Sequence, residues 1–155
     1  MSSFTNEFFS ARDYPSQLLD AAREMIHRGR YEVSVVTCQM ACEVCVERVL
    51  ETYFQARKVK FMEESIEDLL PSYNLAIDKV RKIYIALTED AINRQFFWAE
   101  YKTMVSIRNK AIHAGTRIQE SQAQMVLRIA TSVVKHLQLV EIRAASVGSD
   151  GSAKN

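Results

Sequence analysis

Residues 33–46 read VSVVTCQMACEVCV, a stretch whose apolar and small side chains fall on nearly every face of a helix. A helix apolar around most of its circumference has to be enclosed by others, so this segment predicts the central member of a bundle. Its valines are β-branched and lower the intrinsic helix propensity, so packing must hold it. Past Val46 the pattern narrows to one face through Val49, Leu50, Tyr53 and Phe54, and the helix is expected over residues 31–57.

The rest of the chain supplies the enclosing helices. A first helix is expected over residues 13–28, with Pro15 in its first turn, where a missing N–H costs nothing, and Gly29 as its stop. Leu18, Leu19, Ala22, Met25 and Ile26 form its buried face. Residues 58–64 are charged and read as a connection. A short helix over 65–70 ends at Pro71, whose ring clashes with the preceding turn. Helical spacing resumes over 72–87 through Leu75, Ile77, Val80, Ile83, Tyr84 and Leu87, and Thr88 reads as an N-cap or loop residue. The next helix covers 91–113, with Phe97, Trp98, Tyr101, Met104, Val105, Arg108 and Ile112 along its stripe. Gly115 suits the left-handed position that ends a helix. Residues 116–119 have capping-box spacing, with Ser121 as the other candidate cap. The last helix runs to about residue 143 and carries Met125, Ile129, Val133, Leu137 and Val140. Only four glycines and two prolines interrupt these patterns, so the expected fold class is all-α, with about five helices. The expected organisation is an N-terminal segment (1–13), one helical domain (14–143) and a small, polar, disordered tail (144–155).

The net charge of +1 gives no global bias toward nucleic acid or membrane, so any such bias has to be local. Residues 1–11 lack the basic-then-apolar order of a secretory signal. No apolar run approaches the ~20 residues of a membrane span. The three cysteines, Cys38, Cys42 and Cys45, fall in one predicted helix, which argues against a disulfide framework and for a reducing cytoplasm. Their spacing puts them on one face, but a structural zinc site needs a fourth ligand and none is evident, so they are read as small buried residues. No metal or cofactor is expected.

The chemistry-bearing segment is Arg108-Asn109-Lys110-Ala111-Ile112-His113-Ala114-Gly115. Arg108 lies inside the apolar stripe, between Met104 and Ile112. A charge there has to meet a carboxylate, a subunit partner or a ligand anion, because an unpaired buried charge costs several kcal/mol. Asn109 and His113 are four apart and share a face. Residues 101–117 contain no acidic side chain but carry Lys102, Arg108, Lys110 and Arg117 besides His113, a local positive region suited to phosphate. A guanidinium and an imidazole together can hold a phosphate and move a proton.

Arg108-Asn109 followed by His113 resembles the Arg-polar-x-x-x-His motif of the HEPN family (higher eukaryotes and prokaryotes nucleotide-binding domain). Tyr31-Glu32-Val33 through Cys38-Gln39-Met40-Ala41-Cys42-Glu43 resembles that family's early helix, and Gly115 with the helix over 119–140 resembles its ending. The resemblance spans residues 14–143. It implies an up-and-down bundle that dimerises so that two motifs face each other. It also implies a metal-independent endoribonuclease, of a kind often found as toxin or defence effector under an antitoxin or inhibitor protein. In that setting Arg108 holds the phosphate, His113 acts as general acid or base, and Asn109 orients the phosphate or the imidazole by hydrogen bonding. RNA is the implied substrate. A non-catalytic dimerisation or nucleotide-binding module of the same fold is the alternative. Gly115 stands where toxins paired with a minimal nucleotidyltransferase carry a tyrosine, so control through that tyrosine is not implied.

Other residues have blander readings beside the functional ones. Glu43 is either a partner that positions Arg108 or one of a solvated stripe with Gln39 and Glu47. His27 and His136 read as capping or surface residues. Trp98, with Phe96, Phe97 and Tyr101, is more often core or interface than a base-stacking platform.

Overall fold

The computed structural model describes residues 3–148, with side chains from residue 13 onward. It is all-α: six helices, α1 (Ser3–His27), α2 (Tyr31–Ala56), α3 (Glu63–Glu67), α4 (Asp78–Thr88), α5 (Trp98–His113) and α6 (Glu120–Val147), with 3-10 turns at Lys60–Met62 and Ile92–Arg94. No strand occurs among the described residues.

The apolar helix is central, as its pattern requires: α2 packs against α1, α4, α5 and α6. Val35, Cys38, Ala41, Cys42, Val46 and Phe54 are fully enclosed. The α1–α2 turn closes with Gly29 at φ +69°, while the Arg30 N–H reaches the Met25 carbonyl at 2.8 Å and the Gly29 N–H reaches Ile26 at 2.9 Å. That pair of bonds satisfies the last carbonyls of α1 and turns the chain back on itself. Two contacts set the direction of α6. Tyr31 bonds Glu120 at the start of both helices, and Tyr53 donates to the Val140 carbonyl near their ends, so α2 and α6 run parallel. α5 runs the other way. The Tyr101 side chain, near its start, lies within electrostatic reach of Cys42 and Glu43, while the Ile118 N–H, just past its end, bonds Glu32.

Several element boundaries differ from the sequence expectation, for local reasons. α1 begins at Ser3, ten residues before Asp13, so Pro15 is interior to it and buried. Proline there removes one helical hydrogen bond, and the packing of α1 on α2 and α6 offsets the loss. The segment expected as helix from residue 72 is a turn until Asp78. Asn74 Oδ1 accepts the Ala76 N–H at 2.9 Å, and the Tyr101 hydroxyl accepts the Leu75 N–H at 3.2 Å. These bonds compete with helical ones. Thr88 closes α4 instead of capping a later helix: its hydroxyl donates to the Tyr84 carbonyl and accepts the Asp90 N–H. α5 begins at Trp98, not at residue 91. The N-cap of α6 is Gln119, which exchanges bonds with Gln122, so neither Thr116 nor Ser121 is the cap. α6 continues past residue 143 to Val147, and the remainder of the expected tail, 149–155, lies outside the described residues. No helix among the described residues is long and apolar enough to cross a membrane.

Candidate functional site

α5 carries the motif in its last turns. His113 is its final residue, Ala114 its C-cap, and Gly115 follows at φ +59°. The Ala114 N–H bonds the Lys110 carbonyl at 3.0 Å, so the helix is intact up to the imidazole. Because α2 and α6 begin where α5 ends, this end of the bundle gathers the first turns of α2 and α6 beside His113.

Arg108 is half-buried, and its guanidinium engages no carboxylate among the described residues. Nη1 donates to Asn109 Oδ1 at 3.1 Å, and Nε is enclosed with no acceptor. Glu43, the sequence candidate for its partner, is half-buried and accepts instead from Gln39 Nε2 at 3.0 Å. It forms no ion pair with Arg108 among the described residues. Gln39 is buried, so the solvated-stripe reading of Gln39, Glu43 and Glu47 does not describe it. The Arg108 charge is therefore left without a counter-charge among the described residues, at a position that already removes part of the side chain from water.

Asn109, Lys110 and His113 are exposed. Five positions separate Arg108 from His113, which places them about 140° apart around the helix and roughly 7.5 Å along it. Within one protomer they address different sides. Lys102 lies roughly 16 Å before His113 on the same helix, so it belongs to the middle of α5 and not to its end. Arg117 sits in the loop after Gly115, near enough to Glu32 to lower that carboxyl.

Glu32, Tyr31 and Glu120 are the residues that sequence reasoning did not bring to this end. The window 101–117 is free of acids along the chain, but in space Glu32 and Glu120 border it. Glu32 Oε1 accepts the Ile118 N–H at 3.0 Å. That bond, then the residue's own N–H and Arg117, hold the Glu32 carboxyl below its ordinary range despite some desolvation. A contact across so long a stretch of chain leaves no periodic trace in sequence.

The other candidates resolve into structure. Cys38, Cys42 and Cys45 are free and buried, and burial pushes the Cys38 and Cys45 thiols up to about 12 and Cys42 well above its usual value. Trp98 stacks on Tyr101 at 5.4 Å, and Arg81 lies over its ring at 5.5 Å, which leaves it little face for a base. Phe96 is 84% exposed, but at the opposite end of α5, more than ~20 Å from His113. His27 is an exposed last residue of α1. His136 is not a surface residue: its Nε2 lies 2.8 Å from Asp90 Oδ2, which also accepts from the Tyr84 hydroxyl at 2.7 Å. This second cluster ties α4, the following loop and α6 together.

Comparison with known families matches residues 16–140, most of the chain, to the HEPN domain. No curated protein and no solved structure matches the chain.

Proposed function

The chain belongs to the HEPN domain family, and from that premise we propose that it is a metal-independent endoribonuclease acting as a homodimer. The observation that carries this reading is the Arg108 guanidinium. It is half-buried and directed at a neutral amide, with no carboxylate to neutralise it. An arginine in that state is matched by an arriving phosphate, whose oxygens accept from the planar fork.

The chemistry divides among three side chains. Arg108 binds the scissile phosphate and stabilises the charge that builds on it. His113, exposed at the helix end, moves the protons. A proton leaves the ribose 2′-hydroxyl for an imidazole as the 2′-oxygen attacks phosphorus. The bond from phosphorus to the 5′-oxygen breaks, and an imidazolium protonates the departing oxygen. The products are a 2′,3′-cyclic phosphate and a free 5′-hydroxyl. Asn109 bonds Arg108 and shares the His113 face, so it orients one group relative to the other. Lys110 and Arg117 hold flanking phosphates. Lys102, in the middle of α5, contributes only long-range attraction, and Glu43 shapes the α2–α5 packing.

The 140° separation of Arg108 and His113 is the reason for two copies. Two motifs facing across a groove bring a guanidinium of one protomer to an imidazole of the other. Val33 and Met40 on α2 and Ile112 on α5 are 44–49% exposed, apolar surface that a second copy would cover. The cellular role that fits such an activity is a toxin or defence effector in the cytoplasm, held in check by an inhibitor protein.

The test is direct. The protein should cleave RNA in the presence of a chelator, and His113→Ala and Arg108→Ala should abolish cleavage while remaining helical. A protein that leaves diverse RNAs intact but binds them or nucleotides saturably is instead a non-catalytic module of the same fold.

A further inference from the structure

The His113 side chain makes no hydrogen bond among the described residues, so the backbone beneath it sets where the imidazole stands. That backbone is a helix terminus, where the last turn lacks following residues to hold it and frays readily. The connection after it, residues 114–119, has no regular structure, and Ala114, Gly115, Thr116 and Arg117 are all exposed. Two backbone bonds return from this loop to α5, both to the Lys110 carbonyl: from the Ala114 N–H at 3.0 Å and, longer, from the Thr116 N–H at 3.4 Å. Beyond these two bonds, what fixes the loop also bears on where His113 stands.

The fixing contact comes from another helix. Glu32, in the first turn of α2, accepts the Ile118 N–H at 3.0 Å. A carboxylate accepting an amide N–H makes one of the stronger single hydrogen bonds available. The Ile118 side chain is buried, so the bond pins the chain at the point where it re-enters the core, five residues beyond His113. Next to it the Tyr31 hydroxyl meets Glu120 at 3.4 Å, a weaker tie to the first turn of α6.

Building on the nuclease reading, we infer that Glu32 is a positioning residue for His113. Through the Ile118 amide it clamps the loop behind the imidazole and so sets where the proton-transfer group stands. The clamp touches neither substrate nor His113 itself.

Three variants test it. In Glu32→Ala the clamp is lost. Glu32→Gln keeps an oxygen acceptor at the same reach. Tyr31→Phe removes the neighbouring tie and leaves the clamp in place. Two readouts need no activity: exchange of the Ile118 amide, and the imidazole resonances of His113 by NMR. The expected result is Ile118 exchange about tenfold faster or more in Glu32→Ala, with a shifted His113 resonance. Glu32→Gln should restore both, and Tyr31→Phe should change neither. On a mixed-sequence RNA oligonucleotide in chelator, Glu32→Ala should lower kcat by about 10- to 100-fold with little change in KM. An unchanged Ile118 amide or His113 resonance in Glu32→Ala overturns the inference, as does an equal response in Tyr31→Phe. A wild-type protein inert toward RNA overturns the nuclease reading, and the two NMR readouts then still decide whether Glu32 holds His113.

Discussion

Arg108 donates to Asn109, its neighbour in sequence, at 3.1 Å, and to no acid among the described residues. A long cation in an apolar stripe normally finds a carboxylate on an adjoining helix, and Glu43 was the candidate. Glu43 is instead bonded to Gln39, one turn before it on α2. The charge that the fold leaves open is the one the proposed chemistry uses.

Replacing that guanidinium separates charge from geometry. Arg108→Lys keeps the charge but loses the planar fork, and should lower kcat by about 100-fold or more. Because no internal ion pair is broken, thermal stability should change little in Arg108→Lys and fall only slightly in Arg108→Ala. A large loss of Tm in Arg108→Ala would show the side chain to be a structural strut.

The Tyr84–Asp90–His136 cluster makes a stability prediction with a sign in pH. Burial raises the Asp90 carboxyl, but the bonds from His136 and Tyr84, with the charges of His136 and Arg143, outweigh it and leave it lowered. A carboxyl lowered in the folded state stabilises above the ordinary carboxylate range and loses that contribution as pH falls through its folded value. Asp90→Ala should cost about 3 kcal/mol near neutral pH, through the orphaned partners. It should also flatten the acid limb of the stability curve. Chemical denaturation of both proteins from neutral to acid pH measures this.

Gly115 holds φ +59°, and a Cβ there would meet nothing within 4 Å. Its requirement is conformational and not steric. Gly115→Ala should cost about 1 kcal/mol, lowering Tm by roughly 2–4 °C. A tyrosine at this position should carry the same penalty. Thermal melts of the two variants check it.

Cys38, Cys42 and Cys45 should resist a thiol reagent in the native protein at pH 8. All three are enclosed, and burial holds their thiols protonated, Cys38 and Cys45 up to about 12. Labelling should follow unfolding, with all three reacting at once in denaturant. Fast labelling of one thiol in native buffer would show that α2 opens locally.

How much was legible in sequence follows from the range of the contacts involved. α2 and α6 bury long faces whose periodicity is local, so both were readable, as was the stop at Gly29. The turn before α4 and the late start of α5 were not, because their causes are side-chain bonds such as Tyr101 to Leu75 and His136 to Asp90, between residues far apart in the chain. The same range hid Glu32. Arg108, Asn109 and His113 can be grouped from sequence because they lie within one turn and a half of a single helix, and their roles are the proposal tested below. That Arg108 meets no carboxylate among the described residues was not legible, since Glu43 had the right chemistry on the right helix.

The most direct measurement is the end chemistry of RNA incubated with the pure protein and a chelator. The account predicts fragments ending in 2′,3′-cyclic phosphate, absent with His113→Ala and absent at any position carrying a 2′-deoxy sugar. Cleavage that survives either change, or fragments ending in a 3′-hydroxyl, would contradict it.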